Sequence, residues 1–496
     1  MNALIVAPIA VLLTGAAFCI LFRGRVLAQQ VVAAVATALL LTVAVLLLVR
    51  VSEHGIQVSE IGDWPAPLGI VLVADLFSAI MVCVTAIIGL AIVVYSLTSI
   101  SEERVRDGYY ALVLVLLAGV SGAFLTGDLF NLYVWFEVML MSSFVLLAMG
   151  GGQVQMEGAL KYVTLNIFAS MVFLTALGLL YAAAGTLNYA ELATRVQSID
   201  NSGLLTTLSV LLLVAFGIKA AVFPFFFWLP SSYHTPPVAV SALFAGLLTK
   251  VGVYALIRIY TLLFLEDPGF THTLILVISG ATMVTGVLGA MAQNEFRRIL
   301  SFHIVSQIGY MTMGLGLFTT LGLGAAVFYI THHIIVKTNL FLVSGLVYGL
   351  QGSFDLKVLG GAQARPLLAV LFLVPAMSLA GVPPLSGFFA KLSLVQAGFE
   401  SGDYAIVGVS LFVGFLTLYS MTKIWNEVFA GPASVPTDPP KTLPPLQVLP
   451  VVALAVLTVA IGLGAGPMLD LSNRAAEQLL DRSEYITAVL EGREGG

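Results

Sequence analysis

Apolar residues in this chain gather into long runs, separated by short breaks that collect charges, glycines and prolines. About 20 consecutive apolar residues suffice for an α-helix to cross the hydrocarbon core of a bilayer. Lipid offers an open backbone no hydrogen-bond partner, so such a run is driven to be helical. Runs of this kind occupy 3–22, 27–49, 68–98, 109–127, 129–149, 159–185, 204–229, 237–264, 272–292, 299–320, 322–350, 366–397, 403–428 and 448–469. The pattern predicts an all-α polytopic membrane protein with about 14 transmembrane helices. The first run has no positively charged start and is long enough to span, so it reads as a helix and not as a removed leader.

Charge in the breaks orients the runs. Of the 21 Lys and Arg, the breaks after odd-numbered runs hold Arg23, Arg25, Arg104, Arg106, Lys161, Arg297, Arg298, Lys357, Arg365, Lys423 and Lys441. Those after even-numbered runs hold only Arg50, Arg195 and Arg258, with Arg474, Arg482 and Arg493 in the tail. The excess of basic residues on cytoplasmic loops then puts odd breaks inside and both termini outside. The longest irregular stretches are 52–67, 187–203 and 430–445, the last a Pro-rich segment expected to act as a stiff connector. The polar C-terminal tail reads as an amphipathic surface helix that meets a partner or lipid headgroups.

Composition agrees: 59% of residues are hydrophobic and 9% charged, against about a quarter charged in soluble proteins. The net charge of −5 says nothing about partners, because in a membrane protein the placement of charge matters more than its sum. Cys19 and Cys83 lie far apart in apolar runs, which fits neither a metal site nor a disulfide framework. No G-x-x-x-x-G-K-[ST] motif is present, so ATP is not the expected energy source. Nothing suggests a bound cofactor, a metal or nucleic acid.

Candidate chemistry lies in the few ionisable groups within runs. In the seventh, "VAFGIKAAVFPFFFWLP" carries Lys219 beside Pro224; in the twelfth, "SLAGVPPLSGFFAKLSLV" puts Pro383 and Pro384 before Lys391. Prolines alone more often shape packing, but a lysine beside each break points to an ion site. If runs four to eight and nine to thirteen are two repeats, their odd helix number makes the second inverted. The expected organisation is 1–108 (three N-terminal helices), 109–264 (repeat one), 265–428 (inverted repeat two) and 429–496 (connector, last helix and tail). Glu137, Lys250, His332, His333 and Lys337 are also intramembrane, with His333 and Lys337 on one helix face. His303, Ser306 and Gln307 form a polar stripe on the tenth run. For His303, His332, Asp75 and Asp128 a structural role, such as bonding a carbonyl or snorkelling to the interface, is at least as good a reading. Four lysines against one clear mid-membrane glutamate cannot form four static ion pairs, so the lysines are expected to pass protons, with Glu137 gating Lys219.

At these residues the sequence resembles the antiporter-like subunits shared by Mrp-type cation/proton antiporters, respiratory complex I and membrane-bound hydrogenases. The resemblance covers nearly the whole chain. It implies broken seventh and twelfth helices and a proton path through Glu137, Lys219, Lys250, His333, Lys337 and Lys391, with His332, His303 and Asp128 as secondary candidates. It also implies a hetero-oligomeric complex in a bacterial plasma membrane that exchanges protons for a monovalent cation, sodium foremost. The stretch "LTGDLFNLYVWFEVMLMSSFVLL" and the chain length favour the Mrp branch. Lys391 also speaks against the branch of larger proton-pumping subunits that have glutamate on the twelfth helix. The alternative is a proton-pumping subunit of a complex I-like or hydrogenase-like redox complex.

Overall fold

The computed structural model describes residues 2–265, 268–362, 365–432 and 442–491. Polar side chains start many of its helices by accepting backbone N–H groups that no helical turn can satisfy. Asn2 does so for α1 (Ala3–Leu21), which α2 (Val26–His54) follows. Strands β1 (Gln57–Glu60) and β2 (Val71–Ala74) form an antiparallel hairpin. Asp75 then caps α3 (Leu76–Ser99) in a reciprocal box with Ser78. The short α4 (Glu102–Arg106) leads into α5 (Tyr109–Leu125). Asp128 caps α6 (Leu129–Ala148), and α7 (Gln153–Ala184) and the short α8 (Tyr189–Arg195) come next.

The second half continues with α9 (Ser202–Ala220), the single turn α10 (Trp228–Ser232) and α11 (Val238–Leu262). Helices α12 (Pro268–Met291), α13 (Phe296–Leu317) and α14 (Thr320–Gln351) follow. After them come α15 (Pro366–Ala380), α16 (Ser386–Glu400) and α17 (Tyr404–Trp425), which runs into a wider turn at Asn426–Ala430. The last are α18 (Pro445–Leu463), α19 (Ala465–Leu480) and α20 (Arg482–Leu490). Among the described residues, eleven helices are long and apolar enough to cross a membrane, and α5 and α15 are shorter apolar helices.

The core lies on α11 and α14. Every residue from Ala239 to Leu262 is buried, and α14 is buried from Gly322 to Val347. Helices α2, α7 and α18 ring the bundle and expose Leu39, Leu46, Phe168, Met171, Leu449 and Val456. A surface with leucine and valine outward suits acyl chains as neighbours.

Several expectations need correction. The fold is all-helical but for one small hairpin, and the bound of the third run moves: "VLVA" at Val71–Ala74 is a strand, and the run becomes helical only at Leu76. β-Branched residues suit a half-buried ladder, and the apolar stretch that follows hides the boundary in the sequence. Arg258 is no loop residue; it sits buried in α11 and pairs with Asp75, Nη2 to Oδ2 at 2.6 Å. Asp75 is therefore neither exposed nor snorkelling. Arg297 is likewise buried, in the first turn of α13, and Lys423 in the last turn of α17 donates to the Met291 and Gln293 carbonyls. The C-terminal tail packs on its own bundle: Ala475, Ala476, Leu479, Tyr485 and Val489 are buried, and the Gln478 side chain accepts the Leu76 N–H at 3.0 Å. Asn2 N–H bonds Ser59 Oγ in β1 at 3.2 Å, and α20 packs against the same strand. Residues 433–441 of the Pro-rich connector lie outside the described residues.

Candidate functional site

Two helices break beside a lysine, and both breaks have the same backbone design. At the end of α9 the Ala221 N–H bonds the Gly217 and Ile218 carbonyls and the Val222 N–H returns to Gly217 O. At the end of α15 the Gly381 N–H bonds the Met377 and Ser378 carbonyls and the Val382 N–H returns to Met377 O. Each is a left-handed helix cap, with φ of 62° at Ala221 and 94° at Gly381. Alanine there is strained where glycine is not. Gly252 lets α11 come close to the first break: a Cβ on it would lie 2.6 Å from Ala220 N.

The two lysines use their breaks differently. Lys391 folds back from α16 and donates to the Leu379 and Ala380 carbonyls, at 3.0 and 2.9 Å, which the end of α15 leaves free. At the first break the Ile218 carbonyl, which already accepts the Ala221 N–H, also accepts the Trp228 indole N–H at 3.0 Å. Lys219, 6% exposed, instead turns toward α7. It donates to Ser170 Oγ at 2.9 Å and to the Asn166 carbonyl at 3.3 Å. The Ser170 hydroxyl is also hydrogen-bonded to the Glu137 carboxylate. Lys219 lies over the Phe136 ring, 5.2 Å from its centroid. Glu137 is only half-buried, on a flank that exposes Val134, Met141 and Met171.

The remaining groups form a second cluster in the core. Lys250, on α11, is fully buried and donates to the Ala245 carbonyl. Lys337 and His333, on α14, are fully buried, and neither the lysine Nζ nor either ring nitrogen has a hydrogen-bond partner. Lys250, His333 and Lys337 stand within electrostatic reach of one another, and His303 within reach of Lys337 and Lys391. His303 bonds Ser420 at 2.9 Å and His332 bonds Ser386 at 2.8 Å, each leaving its second ring nitrogen unpartnered. Gln307 is held by the Tyr329 hydroxyl. Asp128 belongs to neither cluster; its carboxylate caps α6 by accepting the Asn131 N–H at 2.7 Å.

Sequence reasoning missed Ser170, Asn166, Trp228, Ser386 and Ser420, which bond the charged groups or the broken backbone directly. Single serines and asparagines in apolar helices carry no signal until a partner helix is placed beside them. The described residues include no group of three or more His, Cys, Asp or Glu that could hold a metal ion.

The sequence model of the family "NADH:quinone oxidoreductase/Mrp antiporter, TM" matches residues 126–417. The chain belongs to that family. Members similar along their whole length include the D-type subunit of the Na(+)/H(+) antiporter of Alkalihalophilus pseudofirmus, 47% identical over 99% of this chain and 100% of that one. Its counterpart in the Na(+)/H(+) antiporter of Bacillus subtilis is 39% identical over the same shares. Among solved structures, a chain in the structure of the Mrp complex from Dietzia sp. DQ12-45-1b superposes with a TM-score of 0.91 and 35% identity, covering 99% of this chain and 100% of that one. A chain of the membrane-bound sulfane sulfur reductase, an archaeal respiratory membrane complex, gives 0.92 at 26% identity, with the same coverage.

Proposed function

We propose that this chain is the D-type subunit of a bacterial multisubunit Mrp-type Na+/H+ antiporter and that it moves protons between two half-paths. The observation that carries this reading is that Lys250, His333, Lys337, His303 and Lys391 lie inside the bundle, each within electrostatic reach of the next. A cation at the centre of a spanning helix costs about 2.5–3.5 kcal/mol on insertion scales, so a row of them persists because it is used. Lys219 with Glu137 forms the gate at one end. When the pair is close, the carboxylate holds the lysine charged; when it parts, the proton moves on to Lys250. Lys391, on the half-helix after the second break, is the exit on the other side.

The matching caps at Ala221 and Gly381 support two inverted five-helix units, 109–264 and 265–428, within a fourteen-span count in which α9 with α10 and α15 with α16 each count once. Asn2 and α20 meeting at one hairpin supports termini on one face, the outer by the distribution of basic loops. The half-exposure of Glu137 on an apolar flank fits a neighbouring subunit covering it. The test is exchange, driven by sodium or by a proton gradient, in inverted vesicles carrying the complete complex with wild-type chain or Lys219→Ala. Loss of exchange with normal assembly supports the path; full exchange removes Lys219 from it.

A second reading, a proton-pumping subunit of a redox complex, draws on the likeness to the archaeal respiratory chain. Genes beside this one decide: a cluster of antiporter subunits supports the first reading, quinone-reductase or hydrogenase genes the second.

A further inference from the structure

Away from the ionisable core, two cavities meet along one seam. A polar cavity of about 450 Å³ lies where α3, α14 and α18 approach the ends that basic loops assign to the cytoplasm; its lining includes Tyr95, Thr98, Arg104, Arg297 and Gln447. It has two arginines and no carboxylate in its wall. Arg297 is about nine-tenths buried, and its Nε has no hydrogen-bond partner. Its Nη1 donates to the Pro236 carbonyl at 2.8 Å, and Glu295 Oε1 lies 3.6 Å from Nε. A guanidinium whose Nε is ion-paired with Glu295 but makes no hydrogen bond, beside a second arginine that rims the cavity, is chemistry suited to a phosphate, which guanidinium groups grip in a planar fork.

The second cavity is an apolar groove of about 620 Å³ between α2, α3 and α18, walled by Leu41, Ile87, Val94, Ala453, Leu454 and Ala460 among others. The two are continuous on both flanking helices. Along α3 the groove ends at Val94 and the cavity begins at Tyr95; along α18 the cavity ends at Gln447 and the groove begins at Leu449. Because α3 and α18 run antiparallel on this count, the groove leaves the cavity toward the membrane centre on both. A cationic head cavity at an interface that opens into an oily channel of acyl-chain depth has the shape and polarity of one kind of molecule.

We propose that this seam binds a single anionic glycerophospholipid, its phosphate against Arg104 and Arg297 and an acyl chain in the groove between α3 and α18. A helix from a neighbouring subunit would fill the groove but put no anion beside Arg104 in the adjoining cavity. The bound lipid would bridge the first third of the chain to its last spanning helix, at a place where side chains alone leave a gap.

The experiment delipidates the assembled complex, re-exposes it to phosphatidylglycerol or phosphatidylcholine, and counts retained lipid by native mass spectrometry. Arg104→Gln changes a half-exposed side chain and Ala453→Trp fills the groove from an exposed position, so neither is expected to disturb folding. Subunit composition, read in the same spectra, checks this. Arg104→Gln is expected to lower phosphatidylglycerol retention about fivefold and to leave phosphatidylcholine unchanged; Ala453→Trp is expected to lower both. Equal retention of phosphatidylglycerol by wild type and both variants overturns the proposal. So does loss of a neighbouring polypeptide from the Ala453→Trp complex without loss of lipid, which would assign the groove to a partner helix.

Discussion

Lys219 and Glu137 are joined through the hydroxyl of Ser170: the ammonium reaches Ser170 Oγ at 2.9 Å, and the same oxygen is hydrogen-bonded to the carboxylate. A hydroxyl can donate and accept at once, so this serine is suited to relay a proton between a base and an acid that do not touch. Ser170→Ala is expected to slow exchange roughly tenfold, the factor for losing one charge-assisted hydrogen bond, while Ser170→Thr retains most of it. Equal rates for Ser170→Ala and wild type, measured in vesicles with matched amounts of assembled complex, would take the hydroxyl out of the path.

Glu137→Ala and Lys219→Ala are each expected to abolish exchange. Each strands its partner's charge, which costs about 3–5 kcal/mol in soluble interiors, so the complex must first be shown to assemble. Lys219→Arg separates charge from proton transfer: arginine keeps the charge but does not deprotonate in a protein. Exchange by Lys219→Arg at the wild-type rate would make Lys219 an electrostatic anchor and not a carrier.

Lys337 is fully buried and its ammonium has no hydrogen-bond partner. Replacing it by an apolar side chain of similar length removes that penalty. Lys337→Met is thus expected to raise the melting temperature of the complex by about a few degrees and to abolish exchange. A lower melting temperature would mean that the lysine is held by interactions that stabilise the fold. Lys250→Ala and Lys391→Ala are expected to impair exchange strongly, with little change in assembly.

The Asp75–Arg258 pair at 2.6 Å is flanked by the Tyr254 and Tyr485 rings. Asp75→Ala leaves an uncompensated guanidinium and is expected to destabilise the chain by about 3–5 kcal/mol, seen as lower yield and melting temperature. Combining it with Arg258→Met is expected to restore part of that loss. If the double variant is no more stable than Asp75→Ala, the pair is not the source of the effect.

His234, in the loop between α10 and α11, has its pKa pushed down to about 4, by burial first and then by Arg297 and Arg298. The unfolded chain takes up this proton near pH 6.5, so the stabilisation is complete above pH 6.5 and fades as pH falls toward 4. His234→Gln is expected to flatten the melting temperature across that window. An unchanged acid slope would assign it to other groups.

The spanning helices were legible because lipid forces long apolar runs to be helical, and the breaks because proline and glycine cannot hide in such runs. The charged groups stood out for the same reason. What escaped depends on neighbours far away in sequence. Arg258 reads as a loop charge until Asp75 is placed opposite it. Ser170 looks like any helical serine until α9 delivers Lys219. The hairpin is hidden because "VLVA" continues into the apolar start of α3, and the docking of the tail is hidden because the helices that receive α19, α3 and α14, lie far from it in sequence.

The Gln478 side chain that accepts the Leu76 N–H stands 402 positions later in the chain, and Arg474 reaches back to Ser52. A ribosome feeding this protein into a membrane therefore delivers α3 long before the residue that satisfies its first turn. The newborn bundle must wait with that rim unsealed until α19 and α20 emerge. Only a chain synthesised past Tyr485 can lay its ring over Arg258, so the closing of this rim records that synthesis has run nearly the whole length of the bundle.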